Sequence, residues 1–165
     1  MFLKMRLGWF FLRNLHNSGY IKEEAPHYLL DSNIISELIR RKANSNVLKK
    51  MVEHVSDWAI CTVVWQELLF GMYRLEDGHN KRYLQDFLRN DIESEFKIKT
   101  YTKRAAEIHA ELRAKLEKLG KPTQLDDSMI AAIALANHMV LVTRNAKHFE
   151  AIQEVSDLQV ENWFD

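Results

Sequence analysis

Between positions 129 and 135 the chain reads Met-Ile-Ala-Ala-Ile-Ala-Leu, a stretch apolar on nearly every side of a helix. Such a helix has no face to offer to water and is buried. Asp126 or Asp127 is placed to cap it, it runs from Ser128 to His138, and Met139 to Thr143 follows as a short strand. The same succession runs through the chain from residue 28. Tyr28-Leu29-Leu30 is an apolar run stopped by Asp31, with Ser32-Asn33 to cap a helix through Leu38 and Ile39. Residues 46–55 read as a second helix and Trp58-Ala59-Ile60-Cys61 as a second buried strand. Thr62 then caps a helix carrying Val63, Val64, Glu67, Leu68 and Phe70, and Gly71 and Gly78 weaken the segment between them. Residues 83–88 look helical, and Phe96-Lys97-Ile98 suits a third strand. Residues 102–119 form an amphipathic helix with Ala105, Ala106, Ile108, Leu112 and Leu116, closed by Gly120 and Pro122. Leu158-Gln159-Val160 is a candidate fifth strand. Short apolar strands alternating with helices predict an α/β fold: a central, mostly parallel sheet of four to five strands, covered by helices on both faces.

The length of 165 residues fits one such domain. Lysines and arginines balance aspartates and glutamates, so nothing in the overall charge points to nucleic acid; a contact of that kind has to come from local patches. The single cysteine, Cys61, lies among apolar residues, which excludes an internal disulfide and a thiolate-rich zinc site. A reducing compartment, the cytoplasm, is the expectation. Residues 1–27 stand apart as an N-terminal extension before the domain at 28–165. Leu3, Leu7, Phe10, Phe11 and Leu15 can line one helical face opposite Lys4, Arg6 and Arg13. Packing on the domain or a partner, lying on a membrane surface, and upstream sequence without a structural role all stay open for it. Arg6 and Arg13 interrupt the apolar residues, so no membrane span is expected.

Sites in open parallel sheets form at the carboxyl ends of the strands, and acidic residues gather there. Asp31 stops the first strand. Glu67 sits in the helix after the second, with Val63, Val64, Phe70 and Gly71 as helical neighbours, so its carboxylate faces an apolar side. Asp127 opens the buried helix before the fourth strand. Each residue alone has an ordinary structural reading: Asp31 and Asp127 as caps, Glu67 as one half of an ion pair. Together they repel one another unless a cation joins them, and oxygen-only ligands select hard ions such as magnesium or manganese. Those ions suit phosphoryl chemistry.

These segments carry a family resemblance. Tyr28-Leu29-Leu30-Asp31-Ser32-Asn33 resembles the opening of a VapC-type PIN domain, with Ser32 in place of a usual threonine. Gln66-Glu67-Leu68-Leu69-Phe70-Gly71 resembles its second acidic motif. Gly120-Lys121-Pro122 and Asp127-Ser128-Met129-Ile130-Ala131-Ala132 resemble its third. Leu141-Val142-Thr143-Arg144-Asn145 with Phe149 resembles its fourth, and Val160-Glu161-Asn162-Trp163 its ending. The likeness covers residues 28–163. It implies a PIN-like three-layer sandwich and a metal-dependent endoribonuclease toxin of a toxin–antitoxin pair. It also implies a homodimer and a cognate VapB-like antitoxin that blocks the site.

On that reading Asp31, Glu67 and Asp127 hold Mg2+, or Mn2+, and Asn145 completes the catalytic set. Ser32 and Thr143 orient a carboxylate or water, against capping and a strand-end turn as their plainer roles. Arg144 and Lys147 are the best-placed RNA contacts, whereas Lys97, Lys99, Lys103, Arg104, Lys115, Lys118 and Lys121 read first as solvated faces. Trp65, Phe70, Tyr73 and Leu38 or Ile39 are candidates for an apolar partner surface, with core packing the expectation for most. Two departures stand out. Asn145 and His148 occupy positions of the fourth motif where members often carry acids, and the extension precedes the usual start. The rival readings are a catalytically weakened PIN-fold module that binds RNA or a partner, and a phosphatase or DNA nuclease on a similar sheet. No glycine-rich loop follows the first strand, which excludes a Rossmann nucleotide site. His54, His79, His109, His138 and His148 show no i, i+4 pairing, which excludes a helix-borne zinc site.

Overall fold

A computed structural model describes residues 27–55 and 57–165; the expectations for the N-terminal extension, His27 aside, lie outside them. Five strands form one sheet: β1 (Tyr28–Leu30), β2 (Trp58–Cys61), β3 (Lys97–Lys99), β4 (Val140–Val142) and β5 (Val160–Glu161). Their order is β3-β2-β1-β4-β5, and every neighbouring pair is parallel. β1 is central, with Leu29 facing Ala59 on one side and Leu141 on the other. A strand hydrogen-bonded on both edges needs apolar side chains on both faces, and Leu29 and Leu30 are fully buried.

Helices flank the sheet: α1 (Ser32–Glu37), α2 (Ser45–Glu53), α3 (Thr62–Tyr73), α4 (His79–Asp86), α5 (Lys103–Lys118), α6 (Leu125–Ala136) and α7 (Glu150–Gln153). α6 is the helix apolar nearly all round: Ile130, Ala131, Ala132, Ile133 and Ala134 are buried. α5 packs along it through Ala105, Leu112 and Leu116. The chain runs outward from β1 to β2 and β3, then returns to β4 on the other side of β1. Consecutive crossovers therefore diverge between β1 and β4, the place where an open α/β sheet leaves a crevice at its carboxyl edge.

Several local expectations are corrected. Cys61, not Thr62, is the N-cap of α3, and it makes no side-chain bond there. Between Gly71 and Gly78, where a weakened segment is expected, α3 still continues to Tyr73, because tertiary packing outweighs the modest glycine penalty. The helix expected at 83–88 begins at His79 and passes through a π-helical segment, Phe87–Ile92, into a last turn at Glu93–Glu95. Gln124 precedes α6, so neither Asp126 nor Asp127 is its cap; both lie in the first turn, where the helix dipole favours carboxylates. Glu37 is only 2% exposed; its carboxylate pairs with Arg40 at 2.9 Å and accepts the Asn44 N–H at 2.8 Å. Phe70 and Tyr73 are exposed, at 60% and 62%, while Trp65, Leu38 and Ile39 pack partly against the core.

Candidate active site

The crevice between β1 and β4 is organised around Asp31. As the N-cap of α1, it accepts the Ser32 N–H at Oδ1 at 2.7 Å. Its Oδ2 accepts the Thr143 hydroxyl at 2.6 Å and the Asn33 amide at 2.7 Å. Thr143 follows β4 and is fully buried, so its hydroxyl has no solvent alternative. That hydroxyl also accepts from Asn33 Nδ2 at 3.1 Å and from the Asn145 N–H at 3.0 Å. Asn33 in turn accepts the Arg144 N–H at Oδ1 at 3.0 Å. One side chain thus ties the end of β1 to the end of β4. Asn33 is the residue that the sequence reading left in a capping role; its place two residues past Asp31 in the opening motif was the available signal.

Ser32 stands between two acids: its hydroxyl lies 3.4 Å from Asp31 Oδ1 and also hydrogen-bonds Glu67. Glu67, on α3, is half-buried. Burial pushes its carboxyl above the ordinary range; the Ser32 bond opposes this, and Asp31, Asp126 and Asp127 add to the rise. Asp127 is raised as well, first by burial, with Asp31 and Asp126 adding to it. The opposing influence at Asp127 is His148, whose Nδ1 lies 3.3 Å from Asp127 Oδ2. His148 sits on the 3-10 turn Ala146–Phe149, which folds back toward α6, so the residue in an acid's place in the fourth motif pairs with an acid instead. Asn145 joins the network through its main-chain N–H and is itself exposed. The Arg144 guanidinium lies 5.0 Å from the Phe164 ring centroid, and Lys147 is exposed on the same 3-10 turn. Cys61, at the end of β2, has its thiol pushed up to about 11 mainly by burial, which leaves it protonated and inert at neutral pH.

Asp31, Glu67, Asp126 and Asp127 therefore share one electrostatic field. Among the described residues, no three such side chains are already gathered closely enough to close round an ion. The chemistry of the donor set still fits a hard divalent cation: the donors are carboxylate oxygens, and their mutual repulsion is what such a cation relieves.

A PIN-domain family model matches residues 28–155. The chain belongs to the PIN-domain family. It is 29% identical over 137 residues to ribonuclease VapC2 of Haemophilus influenzae, a match covering 82% of this chain and 97% of the relative. It is 30% identical over 141 residues to toxin FitB of Neisseria gonorrhoeae, covering 83% and 99%. The crystal structure of FitAcB from Neisseria gonorrhoeae superposes with a TM-score of 0.76 at 28% identity, over 83% of this chain and 98% of that one. These likenesses place the PIN domain with the VapC-type toxin ribonucleases. Among the described residues no helix is long and apolar enough to cross a membrane.

Proposed function

We propose that this PIN domain is the endoribonuclease toxin of a toxin–antitoxin pair and works with Mg2+ or Mn2+ held by Asp31, Glu67 and Asp127. The observation that carries the reading is a set of carboxylates at the β1/β4 crevice, Asp31, Glu67, Asp126 and Asp127, close enough to act on one another and to raise the proton affinities of Glu67 and Asp127. A bound divalent ion supplies the acidity that makes a water nucleophilic at neutral pH and the positive charge that a phosphodiester needs as it is attacked. The chain's own residues prepare that site. Thr143, Asn33 and the Ser32 N–H hold Asp31 in one orientation, and Ser32 links it to Glu67. The first turn of α6 presents Asp126 and Asp127 to the same crevice. Arg144 and Lys147, one and four residues beyond Thr143, are assigned to phosphates of single-stranded RNA, and Asn145 to a ligand oxygen or ordered water.

The partners follow from the relatives: a VapB-like antitoxin that covers the crevice, and a second copy of the chain. The compartment is the cytoplasm, where RNA and a reduced Cys61 coexist. Cleavage of total cellular RNA by purified, antitoxin-free protein tests the reading, with Mg2+, Mn2+ or chelator and with Asp31→Asn and Glu67→Gln alongside. Discrete metal-dependent fragments that both variants fail to produce are expected. Intact RNA under every metal condition from folded protein would refute it.

A further inference from the structure

His109 is a buried titratable residue that the proposed chemistry does not use. It lies on α5, is 6% exposed, and has both ring nitrogens engaged. Nδ1 is 2.8 Å from the Tyr101 hydroxyl, and Nε2 is 2.9 Å from Ser128 Oγ. Ser128 Oγ in turn lies 2.8 Å from the Leu125 carbonyl and 3.1 Å from that of Gln124, at the start of α6. One arrangement of protons satisfies every group: the Ser128 hydroxyl donates to those carbonyls, the His109 Nε2–H donates to Ser128, and Tyr101 donates to Nδ1. The imidazole is then neutral, as its burial requires.

We propose that His109 is a positioning residue that fixes the first turn of α6, and with it Asp126 and Asp127, against α5. Three features carry this. Ser128 is the residue next to Asp127, so a shift in its backbone moves that carboxylate. The N-cap Gln124 makes no side-chain bond to the helix start, so no local cap locks the turn. An apolar pair would fill the same space without desolvating an imidazole and a hydroxyl; a satisfied polar chain instead admits one geometry. Bonds made directly to a metal-binding carboxylate are typically worth about 10–100-fold in metal affinity or activity; this chain acts one step further out, through the backbone at the start of α6, so the lower end of that range is expected.

The inference rests on the metal-nuclease reading, and its test separates the two. Mn2+ affinity is measured by titration calorimetry, and kcat and KM on a single-stranded RNA cleaved by the wild type, for His109→Leu, His109→Gln and Ser128→Ala. His109→Leu and Ser128→Ala are expected to weaken Mn2+ binding and lower kcat by about tenfold, with KM for RNA nearly unchanged. His109→Gln, which returns an N–H toward Ser128, is expected to recover most of both. A purely structural residue would lower the melting temperature and leave Mn2+ affinity and kcat of the folded protein alone. That result, or equal losses in His109→Gln and His109→Leu, overturns the proposal. Should His109→Leu fail to fold, Ser128→Ala carries the same decision. A wild type that neither binds Mn2+ nor cleaves RNA sinks the nuclease reading itself.

Discussion

Thr143→Val removes one oxygen from the middle of the Asp31 network and keeps the side-chain shape. The Thr143 hydroxyl is fully buried, donates to Asp31 Oδ2 at 2.6 Å, and accepts from Asn33 Nδ2 and the Asn145 N–H. A hydrogen bond to a charged group contributes about 1.5–3 kcal/mol. Asn145 is exposed and its N–H can turn to water, while Asn33 keeps its 2.7 Å bond to Asp31, so the stranded donors add little. The expected loss of unfolding free energy is therefore about 2–3 kcal/mol. For a chain of this size that lowers the melting temperature by about 4–12 °C. Thr143→Ser, which keeps the hydroxyl and loses a buried methyl, should cost only about 1 kcal/mol. The charge on Asp31 makes the bond strong, so in an Asp31→Asn background Thr143→Val should cost about 1–2 kcal/mol less than in the wild type. Urea unfolding of the four proteins in chelator closes this cycle without relying on activity. Additive losses would show that the 2.6 Å contact does not couple the two side chains energetically.

Glu67→Gln should abolish cleavage yet stabilise the metal-free protein at neutral pH, on the order of 1 kcal/mol, as is common where a functional site stores strain. The sign follows from the raised carboxyl of Glu67. Its contribution to stability is present in full below the ordinary glutamate range and is lost as pH rises through the raised folded value, so the variant's advantage should fade on acidification. Equal stabilities at pH 7 in chelator would count against it. His109 is shifted the other way, lowered by burial and then by Arg113. Wild-type stability should fall as pH drops from the ordinary histidine value of about 6.5 toward the lowered folded one, because the unfolded chain takes up the proton first. A His109→Gln protein whose stability declines equally over that window would contradict this. Glu37→Ala removes the acceptor of the partly buried Asn44 N–H and frees Arg40, and should cost about 1–2 kcal/mol by denaturant unfolding. Divalent metal should raise the wild-type melting temperature and leave that of Asp31→Asn nearly unchanged, which thermal unfolding with and without Mg2+ checks.

The centre of the sheet was legible because β1, β2 and β4 are short apolar runs bounded by polar stops, and the buried helix because its composition leaves no outward face. That Asp31, Glu67 and Asp127 come into one another's electrostatic field was legible from topology: strand ends in a parallel sheet converge at one edge, and position in the chain gives position at that edge. Contacts made across the sheet were not. Asn33 reads as a local capping residue, whereas its amide bonds to residues 110 and 111 positions away, Thr143 and Arg144, can be seen only once β1 and β4 are neighbours. His148 reads as a lost acid because sequence spacing does not tell that a 3-10 turn will bring it to Asp127. Glu37 can reach Arg40 by helical spacing alone, whereas its bond with the Asn44 N–H across a loop is a contact that only the fold supplies.

The same topology that gathers the carboxylates also decides which of them can be held still. Asp31 lies at the switch point, so partners from two strands reach it: Ser32 and Asn33 after β1, Thr143 after β4. Glu67 and Asp127 come from helices to either side, where burial and their acidic neighbours raise their proton affinities. Asp31 can then act as the fixed point of the site, with the other two acids the ones most relieved when positive charge arrives. His148, 3.3 Å from Asp127, opposes the rise in that carboxyl's proton affinity. With neither Asn145 nor His148 an acid, the turn after β4 contributes no carboxylate, and the acids available to hold a cation are those that β1, α3 and α6 present. The acids left to hold the proposed cation are Asp31, Glu67, Asp126 and Asp127, which act on one another across the crevice.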